Sequence, residues 1–147
     1  MQPLNLDRFI KAQERDYNIA LSEIKAGRKK SHWVWYIFPQ IKGLGHSETA
    51  QYYSIQNTDE ARAYLDNEYL RHNLLEICSE LLKLDTNDPI DVMGFPDNLK
   101  LCSSMTLFHL VEPKEEIFKQ VLSKYYNGQL DSSTLTIIGR NNWVNNK

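Results

Sequence analysis

The residues best suited to bind a ligand lie between Arg28 and Ser47. Arg28, Lys30 and His32 place positive charge at or just before the expected N-terminus of a short helix. Free backbone N–H groups and the helix dipole at such an end favour an anion. This stretch therefore predicts a site for a phosphate group. The alternative is that Lys29 and Lys30 lie in a solvated turn, as is common after a helix.

A glycine loop and a run of aromatic residues belong to the same stretch. Gly43 and Gly45 precede Ser47, a good N-cap residue, and glycines there let the backbone approach a ligand closely. Trp33 and Trp35 offer flat rings on which a nucleobase can stack. Together these parts are what a nucleotide-like ligand needs. Two alternatives stay open, because dense aromatic residues are commonly core and the loop is too short for a phosphate-loop fingerprint.

A second polar group lies within an otherwise apolar helical segment. Lys100, Ser103 and Ser104 can line a pocket if this segment packs against the tryptophan-rich one. The competing interpretation is that the hydroxyls bond back to the preceding helical turn. Lys100 and Ser103 have the reversed order of the Ser-x-x-Lys nucleophile motif, so that motif is not matched.

The other titratable residues form no recognisable site. The four histidines lack metal-ligand spacing, and Glu48, Glu76 and Asp97 form no recognisable pair. We therefore expect no metal and no cofactor, and we assign no catalytic residue.

Composition limits the classes of partner. The net charge of −2 makes nucleic acid an unexpected partner. Cys78 and Cys102 lie beside apolar residues and are expected to be free, buried thiols. The N-terminus lacks the pattern of a signal peptide, and the longest apolar run, residues 33–38, is too short to span a bilayer. These features predict a cytoplasmic protein without a membrane anchor.

Helical periodicity dominates the chain. Leu6, Phe9, Ile10, Tyr17 and Ile24 belong to an apolar stripe of a first helix that Gly27 ends. Later segments, including residues 67–84, 96–108 and 114–127, also show helical spacing, and the second is apolar on several sides. We expect an all-α fold, a single compact domain over residues 1–147 with about six to eight helices in an irregular array. Residues 140–147 are expected to be a frayed tail.

Three segments together resemble a known bacterial family. Residues 31–40, residues 43–47 and residues 99–108 are similar to the domain-of-unknown-function family eighteen-ten. The resemblance covers nearly the whole chain and implies an all-helical single domain. It also implies that the aromatic segment, whose β-branched and aromatic residues would equally suit a strand, is helical. The family carries no established activity, so the resemblance leaves function open.

Two classes of function remain in competition. The first is binding or hydrolysis of a small phosphate-bearing, nucleotide-like metabolite. The second is a non-catalytic protein-interaction or regulatory module whose anchor is an exposed aromatic run. Burial of the tryptophans decides between an anchor and a pocket wall. No protein partner is identified from the sequence.

Overall fold

The computed structural model describes the backbone of residues 5–145 and the side chains of residues 5–140. This part of the chain forms one all-helical domain, which confirms the expected fold class. Its nine helices are α1 (Asp7–Lys25), α2 (Val34–Ile37), α3 (Glu48–Tyr52), α4 (Thr58–Asp66), α5 (Glu68–Lys83), α6 (Pro89–Met93), α7 (Asp97–Val111), α8 (Ile117–Tyr126) and α9 (Ser132–Asn145). The number exceeds the expected six to eight, because α2, α3 and α6 have at most five residues and are too short for periodicity to establish.

The first helix follows its sequence pattern. Phe9, Tyr17 and Ile24 are buried along one stripe, and charged residues occupy the opposite face. Gly27 has a φ of +88°, a left-handed conformation that glycine adopts without steric cost. The helix therefore ends at Lys25, as the sequence predicts.

Helix α7 runs through the centre of the domain. It contacts α2, α4, α6, α8 and α9, and its residues 103–108 are all buried. A helix with neighbours on several sides needs apolar residues around its circumference, and this is the pattern that the sequence shows. Tyr64 on α4, Phe108 on α7 and Phe118 on α8 form a row of packed rings, with centroids 5.2 and 5.8 Å apart.

One buried polar network crosses the core. The amide of Gln13 donates to the backbone oxygen of Tyr36 at 2.8 Å and to the hydroxyl of Tyr64 at 2.9 Å. Its side-chain oxygen accepts from Asn73 on α5 at 3.0 Å. Because both polar atoms of the Gln13 side chain have partners, its burial leaves no polar group without a hydrogen bond.

Several boundaries differ from those predicted. The aromatic segment is helical only over Val34–Ile37, with Trp33 at the N-cap position. Helix α8 begins at Ile117 because residues 112–116 form a turn in which Glu115 N–H donates to Glu112. The predicted frayed tail falls mostly on residues 141–147, whose side chains lie outside the described part, so it stays a prediction. None of the described helices is both long and apolar enough to cross a membrane.

Candidate functional site

The aromatic segment belongs to the core. Trp33 is 1% exposed, and Phe38 beside it is fully buried. A buried ring has no free face, so the prediction that Trp33 stacks on a base is wrong. It also has no exposed surface to act as a protein anchor. Trp35 is half-buried and packs against the core.

The basic turn, residues 28–30, is bound by a carboxylate of the protein itself. The carboxylate of Glu23 on α1 accepts hydrogen bonds from the backbone N–H groups of Lys30 and Ser31 at 2.7 and 2.9 Å. It also accepts from the Ser31 hydroxyl and the Trp33 indole. Burial opposes ionisation of this carboxyl, but the hydrogen bonds together outweigh it and lower its pKa to about 2. The backbone N–H groups of Lys30 and Ser31, just before the predicted anion site, are therefore already occupied.

A buried lysine joins the two segments that the sequence singled out. The Nζ of Lys29 lies 2.8 Å from a carboxylate oxygen of Asp97, at the start of α7, and 5.1 Å from the centre of the Trp33 ring. Lys100 contacts the other oxygen of Asp97 at 3.3 Å. The tryptophan-rich and serine-rich segments thus meet, as predicted, but through an internal ion pair.

The hydroxyls of α7 serve the fold. Ser103 donates to the backbone oxygen of Leu99, one turn earlier, at 3.0 Å. Thr106 donates to Cys102 and accepts from the backbone N–H of Asp131, which joins α7 to the start of α9. The hydroxyl oxygen of Ser104 is buried and has no hydrogen-bond partner among the described residues. Back-bonding, the competing interpretation of these residues, explains Ser103 and Thr106.

Surface clefts lie elsewhere. Five of the more prominent clefts among the described residues have volumes of about 340 to 520 Å³. Most of the predicted ligand residues line none of these five clefts: Arg28, Lys30, His32, Trp33, Trp35, Ser47, Lys100, Ser103 and Ser104. Of the predicted site residues, Gly43 and Gly45 line one of these five clefts.

Close packing explains why the two positions in this loop are glycine. Gly43 has a φ of +107°, and a Cβ there would lie 3.3 Å from Ile137 on α9. A Cβ on Gly45 would lie 2.4 Å from the Cβ of Ala50, closer than two carbons can approach. Ser47 caps α3 by accepting from the backbone N–H of Ala50 at 3.1 Å. The loop therefore folds tightly onto α3 and α9.

We name the cleft along this loop the glycine-loop cleft. It has a volume of about 340 Å³ and is lined by Lys42, Gly43, Gly45, His46, Gln51, Ser54 and Gln56. No carboxylate is among these residues, whereas an ammonium, an imidazole, two amides and a hydroxyl are. Such a lining supplies hydrogen-bond donors and positive charge and suits an anion.

Internal hydrogen bonds hold the lining in place. The amide of Gln51 donates to the backbone oxygen of His46 at 2.8 Å, and the Ser54 hydroxyl donates to the backbone oxygen of Gln51 at 2.8 Å. The amide of Gln56 donates to Ser54 at 3.3 Å. Lys42 and His46 have exposed side chains, and neither takes part in an ion pair within residues 5–140.

An ion pair holds the segment that carries Ser54 and Gln56. Arg8 on α1 donates to the backbone oxygens of Tyr52 and Ser54 at 2.9 and 2.8 Å and contacts Glu60 at 2.6 Å. Glu60 in turn accepts from the backbone N–H of Gln56 at 3.0 Å. Arg8 and residues 51–56 were not predicted, because no motif marks them and only the packing of α1 against this loop brings them together.

No metal centre accompanies the cleft in the described residues, where no three His, Cys, Asp or Glu side chains cluster as metal ligands. The two cysteines are unpaired, Cys78 buried and Cys102 partly so.

A small all-helical domain with a basic, donor-rich cleft beside a glycine loop is the class of protein that these observations define. The chain belongs to the family described as "Protein of unknown function (DUF1810)", whose model matches residues 3–138. It is similar to a solved structure, the conserved hypothetical protein Rv1873 from Mycobacterium tuberculosis. The identity is 39%, the TM-score 0.91, and the match covers 94% of this chain and 99% of that one. No curated protein matches the chain.

Proposed function

We propose that this protein binds a small phosphate-bearing ligand in the glycine-loop cleft. The observation that carries the proposal is the donor-rich lining without a carboxylate. Lys42 and His46 supply exposed basic groups beside the amides of Gln51 and Gln56. Amide donors and a lysine ammonium bind phosphate oxygens through hydrogen bonds, and the ammonium adds charge attraction.

The size of the cleft favours a small metabolite. Ligand pockets generally have volumes of roughly 300 to 1,000 Å³, and this cleft, at about 340 Å³, lies at the lower end. It accommodates a phosphate with an attached sugar or other small group. The nucleotide-like ligand of the sequence analysis remains within this class, although Trp33 no longer supports a stacked base.

Binding is better supported than hydrolysis. The Ser54 hydroxyl donates to a backbone oxygen and contacts no general base among the described residues. A serine nucleophile needs an adjacent base within hydrogen-bond reach.

The cytoplasm is retained as the proposed compartment, since two unpaired cysteines are typical of a reducing environment.

Calorimetric titration tests the proposal. The probes are inorganic phosphate, pyrophosphate and adenosine monophosphate, with adenosine as the control without phosphate. We expect binding by at least one phosphate probe, weakened roughly tenfold in Lys42→Gln. Lys119→Gln, which changes an exposed lysine on α8, is the matched control and should bind as the wild type does. Failure of every phosphate probe at about 10 mM, or undiminished binding by Lys42→Gln, would overturn the proposal.

A further inference from the structure

An exposed apolar patch lies where α6 meets α7. Ile90, Phe95 and Leu99 are 50%, 73% and 53% exposed, and all three lie within ten residues of sequence. The backbone N–H of Asn98 bonds to the oxygen of Gly94 and closes the turn that joins α6 to α7, and Phe95 and Leu99 lie in this turn and in the first turn of α7. Helices α6 and α7 pack together, which places Ile90 near them. We name these three side chains the α6 patch.

Carboxylates border one end of the patch. Asp85, Asp88 and Asp91 lie before and within α6, and their side chains are exposed. Asp88 caps the helix, and Asp91 accepts from Thr86, but none of the three forms an ion pair within residues 5–140. We name them the acidic edge.

The basic turn borders the other end. The backbone N–H of Lys29 donates to the oxygen of Val92 at 2.7 Å, and the Lys29 side chain contacts Asp97. These bonds hold residues 28–30 beside the C-terminal end of α6. Arg28 and Lys30 are exposed there and have no ion pair within residues 5–140. The patch therefore lies between a negative and a positive border.

We propose that the α6 patch binds a second copy of this chain in a two-fold symmetric dimer. A two-fold axis through the patch places the acidic edge of each copy against the basic turn of the other. The apolar side chains then form the centre of the interface and the charges its rim, the usual arrangement of protein interfaces. A partner of one charge sign, such as an anionic membrane or a basic peptide, matches only one border. A second copy matches both.

The first test is the mass of the protein in solution. Sedimentation equilibrium is measured from about 1 µM to about 1 mM. The expected result is a reversible dimer whose Kd rises at least tenfold in Phe95→Asp, because a buried charge replaces the central ring. Ile19→Asp, on the exposed side of α1, is the matched control and should leave the Kd unchanged. A monomer at every concentration, or a dimer indifferent to Phe95→Asp, overturns the proposal.

A charge exchange then tests the pairing of the two borders. One variant carries Arg28→Glu and Lys30→Glu, and the other carries Asp85→Lys and Asp91→Lys. Each should dimerise more weakly alone than the wild type, since like charges face each other at both rims. The mixture should recover a heterodimer, because both rims again pair opposite charges. Dimerisation of either variant alone with the Kd of the wild type, or no heterodimer on mixing, would contradict the proposed arrangement. Circular dichroism of each variant confirms that it is folded.

Discussion

The carboxylate of Glu23 and the indole N–H of Trp33 are joined by a hydrogen bond of 2.9 Å between α1 and the residue before α2. The same carboxylate also accepts hydrogen bonds from the backbone N–H groups of Lys30 and Ser31. A stretch whose sequence resembles a phosphate site is thus organised around an acidic side chain of the protein itself. The anion that these donors attract is internal, and its role is to hold the basic turn against the first helix.

Replacing this internal anion should weaken the fold. Glu23→Gln removes the charge that the hydrogen bonds stabilise and places an amide donor where donors converge. We expect a loss of about 1–3 kcal/mol in the free energy of unfolding, measured by urea denaturation. Glu14→Gln is the control, because Glu14 lies on the exposed face of α1. Equal stability of the two variants would show that the Glu23 contacts contribute nothing.

The contribution of Glu23 should depend on pH. Its pKa is lowered from 4.5 to about 2 in the folded state, so its ionised form is favoured by folding. The stabilisation is fully present above pH 4.5 and is lost as the pH falls toward 2. The stability difference between the wild type and Glu23→Gln should therefore shrink over this range. A difference that stays constant in acid would contradict the assignment.

The neighbouring lysines should differ sharply. Lys29 has a side chain only 6% exposed and pairs with Asp97 at 2.8 Å. Lys29→Met leaves Asp97 with the longer contact to Lys100 alone and should cost about 1–3 kcal/mol in thermal or urea unfolding. Lys30→Met changes an exposed side chain and should stay within about 0.5 kcal/mol. Similar losses for both variants would argue against the buried pair.

The glycine loop should tolerate no side chain at its second glycine. Gly45→Ala puts a Cβ 2.4 Å from the Cβ of Ala50, so the loop must shift away from α3. We expect a destabilisation of about 1–3 kcal/mol. In Gly139→Ala the new Cβ meets nothing within 4 Å, and the helical position should gain up to about 1 kcal/mol. An unaffected melting temperature in Gly45→Ala would disprove this packing.

Two hydroxyls on α7, those of Ser104 and Thr106, should respond oppositely when they are removed. Ser104→Ala removes a buried oxygen without a partner and should leave stability unchanged or raise it slightly. Thr106→Val removes the acceptor of the Asp131 N–H and should cost about 1–2 kcal/mol. Chemical denaturation of the two variants makes the comparison. A large loss in Ser104→Ala would reveal a partner for that hydroxyl.

Local sequence patterns predicted most of the fold. The apolar stripe of α1 and the all-round apolar character of α7 each follow from residues within one helix, so their spacing alone is informative. The boundaries of the shortest helices could not be predicted in the same way. Helix α2 has four residues, and its extent depends on the core into which Trp33 and Phe38 pack.

The candidate site was only partly predictable. The sequence singled out the glycines at 43 and 45, which line the cleft, because glycine spacing is a local signal. The remaining lining comes from residues 51–56, held by Arg8 from α1. No spacing within the sequence connects Arg8 to that segment.

Residue types and periodicity were enough to establish an all-helical chain with its centre at α7, since helix formation and burial stripes are encoded over short distances. The partners in ion pairs could not be predicted in this way, because an ion pair joins residues that the fold brings together across many intervening positions. Lys29 and Lys30 are adjacent and chemically identical, yet Lys29 is buried against Asp97 while Lys30 faces solvent. That difference arises from the packing of α1 and the basic turn against α6 and α7.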